Sequence, residues 1–282
     1  MPNSVTVIIP AYNEEQSIGA VLDEIKSVLT NAGLNIPVIV VDDGSTDNTG
    51  GIAKSKGVTV IQHVENRGYG ASLKTGIHRA SSEFVIIMDA DKTYPAQAIH
   101  QMIQYSDMYD MVVGARGWKP SMRAFAKWCL VKLSNYLAET KIPDLNSGLR
   151  LIRKSIVERF WPILPNGFSF TTTITLAMIC NGYAVKYIPI EYRARSGVSK
   201  IQPVRSTWQF LVLILRTMVY FNPLRVFIPV GLFMIFGGVF IGFYTKFVLG
   251  QLFRVTTTIT VTSGVQILML GFLADLIVKR TK

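Results

Sequence analysis

Two long uncharged stretches near the carboxyl terminus place the strongest constraint on the fold of this chain. Residues 226–244 and 255–274 contain no charged side chain, and each can cross roughly 30 Å of hydrocarbon as a helix. Because the second stretch contains several threonines, a re-entrant or core segment is the alternative to a membrane-spanning helix there. Lys and Arg are more numerous outside the pair than in the connecting loop, which predicts a hairpin with both ends in the cytoplasm. Gly238-x-x-x-Gly242 allows close helix approach, within the hairpin or between protomers.

Charge divides the chain into three parts. Residues 1–115 have 7 Lys and Arg against 13 Asp and Glu, residues 116–222 have 16 against 4, and residues 223–282 have 6 against 1, within a net charge of +11. Because the basic middle part adjoins the apolar tail, an anionic membrane surface is a better partner for it than nucleic acid. We expect no signal peptide, and the two cysteines have no metal-ligand spacing.

Two further stretches have the pattern of basic amphipathic helices at a membrane interface. Ser121 to Thr140 and Pro203 to Phe221 each contain a tryptophan among spaced apolar and basic residues. For the first of them, a surface helix packed on the sheet is the alternative. We therefore expect a catalytic domain over 1–202 that includes an interfacial helix at 119–140, a second interfacial helix at 203–222, and a transmembrane hairpin over 223–282.

Strand-like and helix-like patterns alternate in the first part of the chain. Short apolar runs rich in β-branched residues occur at 5–9, 37–41, 58–61, 84–88 and 111–114. This alternation predicts an α/β fold with a parallel, doubly wound sheet, in which ligands bind outside the carboxyl ends of the strands. Farther along, we expect a polar turn over 143–150 that leads into a short basic helix, then a helix over 170–180 and a strand over 184–192.

The fourth apolar run ends in Asp89-Ala-Asp91. Two carboxylates at a strand end can hold a divalent cation against a phosphate ligand, because Mg²⁺ and similar ions prefer oxygen ligands. An acidic turn that caps the next helix is the alternative for this pair alone. Ionisable or polar residues at four strand ends favour a binding site: Tyr12, Glu14, Asp42, Asp43, Asp89, Asp91 and Arg116.

Two loops offer further contacts. The turn at 66–72, NRGYGAS, is rich in glycine, but its spacing is not that of a dinucleotide-binding site, and the chain contains no P-loop sequence. The loop at 191–200 is cationic. Its Arg193, Arg195 and Lys200 can bind phosphates, with Ser199 as an additional donor, and a merely solvated loop is the alternative.

Seven motifs occur in the order found in family 2 glycosyltransferases: VIIPAYNEE, VVDDGSTDNT, NRGYGAS, MDADKTYP, VVGAR, DLNSGLR and RSGVSK. Over about residues 4–202, and in the hairpin that follows, the chain most resembles the polyprenyl-phosphate glycosyltransferases, which include dolichol-phosphate mannose synthases. The resemblance implies a GT-A fold. It also implies transfer of a sugar from a nucleotide donor to polyprenyl or dolichyl phosphate.

The resemblance further implies a role for individual residues. Asp89 and Asp91 would hold Mg²⁺ or Mn²⁺ on the diphosphate. Asp91 would also be a catalytic residue. Arg116, Arg123 and Arg195 would act on the phosphates as catalytic residues. The nucleotide pocket would comprise Pro10, Ala11, Tyr12, Glu14, Asp42, Asp43, Asp89 and Ala90, and the acceptor phosphate would contact Arg116, Arg123, Ser147, Arg195, Ser199 and Lys200.

The chain departs from the family pattern at three places. Thr93 stands where many relatives have glutamine, which makes it the first place to look for the identity of the sugar. Both Arg193 and Arg195 can match the phosphate-binding arginine of the closing loop, and we favour Arg195. The QxxRW motif of processive polysaccharide synthases is absent, so we expect no long polymer.

The acceptor determines which mechanism is required. A hydroxyl needs a base, whereas a phosphate monoester is already ionised near neutral pH, so the enzyme must instead bring two anions together. We expect a single displacement with inversion. A lipid hydroxyl acceptor remains an alternative, with Asp144 as base, and so does a non-catalytic nucleotide-sugar-binding subunit. Both GDP-mannose and UDP-hexoses stay open as donors, and a two-helix anchor leaves room for a homo-oligomer.

Overall fold

The computed structural model describes residues 4–117, 132, 135–136, 140–167, 169–193, 203–250 and 254–280. Arg123, Arg195, Ser199 and Lys200 lie outside these residues, as does most of the predicted interfacial helix at 119–140. The chain divides into two compact units. The first comprises residues 1–131 and 140–207, and the second comprises 132–139 and 208–282.

The first unit is an α/β fold built on a seven-stranded sheet. Its elements in chain order are β1 Val5–Ala11, α1 Ile18–Asn31, β2 Val38–Asp42, α2 Thr49–Ser55, β3 Thr59–Gln62, α3 Tyr69–Arg79, β4 Phe84–Ile87, α4 Gln97–Ile103, β5 Met111–Arg116, β6 Arg150–Arg153, α5 Lys154–Arg159, α6 Phe170–Cys180 and β7 Val185–Ile190. The five predicted strands and the helices between them are confirmed. Buried apolar runs form β1 and β4, and one face of α1 buries Ile18, Val21, Leu22, Ile25 and Leu29 against the core.

The strand order is β3-β2-β1-β4-β6-β5-β7, and one strand runs against the others. β6 pairs antiparallel with both β4 and β5, while the other neighbouring strands pair in parallel. The short basic helix expected after the turn at 143–150 is present as α5, but β6, which the sequence did not predict, lies between the turn and this helix. Leu151 and Ile152 are fully buried between two strands, and this pairing gives Arg150–Arg153 an extended conformation that their local pattern did not indicate.

The direction of β6 determines where the preceding turn lies. Arg150, the first residue of β6, pairs with Ile87 at the end of β4 and with Val113 near the end of β5. The turn before Arg150 consequently lies at the carboxyl edge of the parallel strands. This edge also receives the residues that follow β1, β2, β4 and β5, so it is the place where a ligand site is expected.

The second unit contains a helical hairpin. α7 spans Pro203–Phe221 and crosses the division between the units, α8 spans Leu224–Phe247, and α9 spans Arg254–Arg280. By length and composition α8 and α9 can each cross a membrane, and both extend beyond the predicted spans. A Cβ on Gly238 would lie 2.8 Å from Val261, and one on Gly242 would lie 3.0 Å from Thr257. These two glycines therefore serve helix approach within the hairpin.

Alanine at Gly264 is expected to destabilise this hairpin. A Cβ there would lie 2.7 Å from the Ile235 side chain and 2.8 Å from the Gly231 carbonyl oxygen, so the two helices would have to separate. Overpacking of this kind costs about 1–3 kcal/mol. The measurement is thermal unfolding of the purified full-length chain in detergent. Gly237→Ala is the matched control, because a Cβ on Gly237 meets no described atom within 4 Å. Equal melting temperatures for the two variants would contradict the prediction.

Candidate active site at the carboxyl edge of the sheet

The two carboxylates that follow β4 are both held by hydrogen bonds. The hydroxyl of Tyr69, the first residue of α3, donates to Oδ1 of Asp89 at 3.0 Å. Thr93 donates both its backbone N–H, at 3.1 Å, and its hydroxyl to Oδ1 of Asp91. Lys92 has a φ of 61°, and this left-handed conformation turns the chain so that Thr93 reaches back to Asp91. Both carboxylates therefore have defined positions at the sheet edge.

The electrostatics of this pair suit a divalent cation. Burial and the nearby charge of Asp91 raise the pKa of Asp89 to about 6, against the opposing effects of Tyr69, Arg116 and Arg150. Two carboxylates that repel each other are stabilised when a cation binds between them, and their oxygens are the ligands that Mg²⁺ and Mn²⁺ prefer. Among the described residues, no group of three or more His, Cys, Asp or Glu can hold a metal ion. Two carboxylates leave coordination positions of such a cation open, and phosphate oxygens suit those positions.

Arg116, the last residue of β5, forms a bidentate ion pair with Asp144. Its Nε lies 2.6 Å from Oδ2 and its Nη2 lies 2.9 Å from Oδ1, and its backbone N–H also donates to Oδ2 at 3.1 Å. The guanidinium lies over the Tyr192 ring, 5.3 Å from its centroid. Burial alone would raise the pKa of Asp144, but the hydrogen bonds and charge of Arg116 outweigh it, so the pKa is lowered. Asp144 is thus ionised at neutral pH.

A buried arginine supports the turn that contains Asp144. Arg150 is fully buried, and its guanidinium donates to the Ser147 carbonyl at 2.6 and 3.0 Å, to the Thr171 carbonyl at 2.9 Å and to Thr175 Oγ1 at 2.7 Å. Sequence reasoning placed Arg150 in a polar turn and gave it no function. Its only local signal is an arginine directly before an apolar pair, which is too common a pattern to indicate burial.

Ser147 and Thr93 contact protein groups. Ser147 is fully buried, and its hydroxyl donates to the Gly114 carbonyl at 2.6 Å; its contact with an acceptor phosphate stays a prediction. Thr93 is also fully buried, and its hydroxyl is bound to Asp91. Thr93 therefore orients a carboxylate, and its side chain has no exposed surface with which to read a sugar.

The segments that follow β1 and β2 are joined to each other at the same edge. The Asn13 N–H donates to Ser45 Oγ at 3.0 Å, and the Thr46 N–H donates back to Asn13 Oδ1 at 2.8 Å. Asp42 is buried and accepts a hydrogen bond from the Ser45 N–H at 3.0 Å. These contacts bring together the ends of β1 and β2 and the residues after them, which include the predicted nucleotide-pocket residues Pro10, Ala11, Tyr12, Glu14 and Asp42.

Asp43 supports the glycine-rich turn. Its carboxylate is buried and accepts hydrogen bonds from the backbone N–H groups of Arg67 and Gly68, at 3.0 and 2.8 Å, while Nδ1 of His63 lies 2.6 Å from Oδ1. A Cβ on Gly70 would lie 2.2 Å from the Pro165 carbonyl oxygen. Gly70 is thus required for close backbone packing. Asp43 was predicted to contact the nucleotide, and in the structure its carboxylate binds protein groups.

Of the two candidate arginines in the closing loop, the structure describes Arg193. Its guanidinium forms two hydrogen bonds to Glu24 of α1, at 2.8 and 3.0 Å, and its backbone N–H donates to the Thr93 carbonyl at 2.9 Å. Arg193 therefore fastens the end of the segment after β7 to α1. The choice of Arg195 as the phosphate-binding residue stays a prediction.

Comparison with known proteins identifies the relatives of this chain. The family model "Glycosyl transferase family 2" matches residues 6–161, and the model "GtrB C-terminal hairpin" matches residues 222–279. A dolichyl-phosphate hexose transferase of Haloferax volcanii is 30% identical over 207 residues, which cover 71% of this chain and 88% of the relative. An undecaprenyl-phosphate 4-deoxy-4-formamido-L-arabinose transferase of Pseudomonas fluorescens is 30% identical over 60% of this chain and 55% of its own length.

Solved structures confirm the fold. Glucosyl-3-phosphoglycerate synthase from Mycobacterium tuberculosis superposes with a TM-score of 0.65 at 19% identity, covering 77% of this chain and 80% of that one. A complex of the same enzyme with Mn²⁺, UDP and glucosyl-3-phosphoglycerate gives a TM-score of 0.64. The GT-A fold, the terminal hairpin and the assignment as a glycosyltransferase are therefore confirmed. The chain belongs to glycosyl transferase family 2.

Proposed function

We propose that this chain transfers a hexose from a nucleotide sugar, GDP-mannose or a UDP-hexose, to polyprenyl or dolichyl phosphate at the cytoplasmic face of a membrane. Two relatives that are 30% identical are named as transferases that act on dolichyl phosphate and undecaprenyl phosphate. The two apolar helices α8 and α9 support a membrane location. The product is a polyprenyl-phosphate sugar.

The Arg116–Asp144 ion pair is the observation on which this proposal depends. A lipid hydroxyl acceptor would require a base, and Asp144 was the candidate. A general base works best with a pKa near the operating pH, but Arg116 binds both oxygens of Asp144 and lowers its pKa. An acceptor that arrives already ionised needs no such base. A phosphate monoester, whose second pKa is about 6, is such an acceptor.

Asp144 also gives Arg116 a fixed orientation. An arginine has five N–H donors, and the ion pair with Asp144 uses only part of them. The Arg116 side chain is 25% exposed, so its other donors can reach an acceptor phosphate. A positively charged group that is oriented before the reaction stabilises the approach of two anions without reorganisation. By resemblance, Arg123, Arg195, Ser199 and Lys200 contribute to the same task.

On the donor side, Asp89 and Asp91 would hold Mg²⁺ or Mn²⁺. The bound cation would supply positive charge to the diphosphate leaving group. Tyr69 and Thr93 hold the two carboxylates. The ends of β1 and β2 and the residues after them would form the nucleotide pocket, with Pro10, Ala11, Tyr12, Glu14 and Asp42. An oxygen of the acceptor phosphate attacks the anomeric carbon as the bond to the nucleoside diphosphate breaks. One displacement of this kind inverts the anomeric configuration.

The hairpin would anchor this reaction to the membrane. The basic residues at the outer ends of the two uncharged spans, Arg225, Lys279, Arg280 and Lys282, outnumber Lys246 and Arg254 at the connecting end, which favours cytoplasmic termini. The segments at 119–140 and 203–222, which the sequence predicts as amphipathic helices, would lie at the interface. The lipid chain of the acceptor can then stay in the bilayer while its phosphate reaches the domain formed by residues 1–202. We also propose that the chain forms a homo-oligomer through the hairpin at 223–282.

The test supplies the purified full-length chain in detergent with radiolabelled GDP-mannose or single UDP-hexoses. Each donor is offered with polyprenyl phosphate, polyprenol or diacylglycerol. We expect labelled lipid only from polyprenyl phosphate, with EDTA abolishing it and Mn²⁺ or Mg²⁺ restoring it. Label in polyprenol or diacylglycerol would favour the hydroxyl acceptor. Transfer that requires a second protein would favour the non-catalytic subunit.

A further inference from the structure

Asp89 is held by two segments that are distant from it in the chain. The first residue of α3, Tyr69, donates its hydroxyl to Oδ1, and the backbone of Gly148 packs directly against the carboxylate. We propose that Tyr69 and Gly148 are positioning residues for the reaction, which hold the Asp89 carboxylate in the orientation that binds the cation and the diphosphate. This inference rests on the proposed function of Asp89 as a metal ligand.

The position of the Tyr69 hydroxyl is fixed by the contacts of its neighbours. Gly68 has a φ of 97°, and its N–H is bound to Asp43 at 2.8 Å, so the chain enters α3 in one conformation. After Tyr69, the Ala71 N–H donates to the Asn166 carbonyl at 3.0 Å. The first turn of α3 is thus fastened on both sides of Tyr69. The Tyr69 hydroxyl therefore has little freedom to move, and the Asp89 carboxylate keeps this hydrogen bond only in its present position.

The Gly148 backbone packs against the other side of the Asp89 carboxylate. A Cβ at this position would lie 2.2 Å from Oδ2 and 2.7 Å from Oδ1 of Asp89, so glycine is the residue that allows the observed contact. The Gly148 N–H donates to the hydroxyl of Tyr94 at 2.7 Å, and Tyr94 is itself 1% exposed. The Gly148 backbone therefore cannot move away from Asp89 without breaking a buried hydrogen bond.

Asp89 needs this support more than Asp91 does. Asp91 is held within its own loop by Thr93, whereas the hydrogen bond from Tyr69 to Asp89 comes from a residue twenty positions earlier in the sequence. Groups that orient a metal ligand typically change metal affinity about 10- to 100-fold when they are removed.

The test measures Mn²⁺ binding directly. Free Mn²⁺ is followed by electron paramagnetic resonance while the purified full-length chain is titrated in detergent, with UDP and GDP in separate arms. We expect Tyr69→Phe to weaken Mn²⁺ binding about 10-fold and Gly148→Ala about 100-fold. The KM for Mn²⁺ in transfer should rise by a similar factor in Tyr69→Phe, while kcat at saturating Mn²⁺ changes less. If Tyr69 had only a structural role, Tyr69→Phe would not affect the KM for Mn²⁺ more strongly than kcat.

Matched controls separate this effect from general damage. Tyr109→Phe removes a hydroxyl from an aromatic pair with Tyr105 and should bind Mn²⁺ like the wild type. Gly167→Ala adds a Cβ that meets no described atom within 4 Å. Unchanged Mn²⁺ affinity in Tyr69→Phe and Gly148→Ala, beside normal binding by the wild type, would overturn the positioning role alone. A wild-type chain that binds no Mn²⁺ with either nucleotide would overturn the metal assignment and this inference with it.

Discussion

Alanine at Asp91 is expected to abolish sugar transfer. Asp91 is one of two carboxylates at the end of β4, it is 8% exposed, and two hydrogen bonds from Thr93 fix its orientation. Its removal takes away half of the protein ligands for the proposed cation. We expect kcat/KM to fall by about 10³-fold or more, which corresponds to about 4 kcal/mol of transition-state stabilisation. The measurement is the initial rate of labelled lipid formation from polyprenyl phosphate.

Two variants make this result interpretable. Asp91→Asn keeps the shape of the side chain and loses its charge, and we expect nearly the same loss of activity. Asp23→Ala removes an exposed aspartate whose partner is Lys56 on the surface, and it should leave the rate close to that of the wild type. Wild-type turnover in Asp91→Ala would remove Asp91 from the metal site.

The second large effect is expected at the Arg116–Asp144 pair. In Arg116→Ala, the Asp144 carboxylate, which is 8% exposed in the intact pair, loses its arginine. Removing one partner of a buried pair typically costs about 3–5 kcal/mol, because the other charge is left without compensation. We therefore expect Arg116→Ala to lower the melting temperature and to lose most transfer activity. Arg116→Ala combined with Asp144→Ala should recover stability but not transfer.

Asp144→Asn distinguishes the two classes of acceptor. The removal of a general base costs about 10²–10⁴-fold in rate. Since Asp144 orients Arg116 in our proposal and accepts no proton, we expect Asp144→Asn to lose about 10-fold or less. The rates are compared at equal fractions of folded protein, judged from thermal unfolding. A loss of a thousandfold in Asp144→Asn, together with tolerance of Arg116→Ala, would point to a hydroxyl acceptor.

The parts of the fold that the sequence predicted correctly are those with a strong local pattern. β1 and β4 are fully buried and read as short apolar runs, and the buried residues of α1 recur at helical spacing. β6 has no such pattern, because only Leu151 and Ile152 separate its two arginines. Its conformation comes from pairing with β4 and β5, and a local window of sequence does not contain those partners.

The same distinction applies to the site. Asp89, Asp91 and Arg116 were predicted to meet because each follows a strand of one sheet, and the structure brings them to one edge. The supporting roles of Tyr69 and Gly148 were missed, since they depend on contacts between distant segments. Ser147 was predicted to contact the acceptor phosphate, and this stays a prediction. In the structure its buried hydroxyl donates to the Gly114 carbonyl, and a polar residue at a strand end can serve either purpose until its burial is known.

The antiparallel direction of β6 has a consequence for the way this site can change during evolution. It brings Gly148 against the carboxylate of Asp89 with no space for a single methyl group between them. A lineage that acquires any larger residue at 148 must therefore move or lose the carboxylate at 89. These two positions are expected to covary among homologues as one inherited unit, although they belong to different motifs.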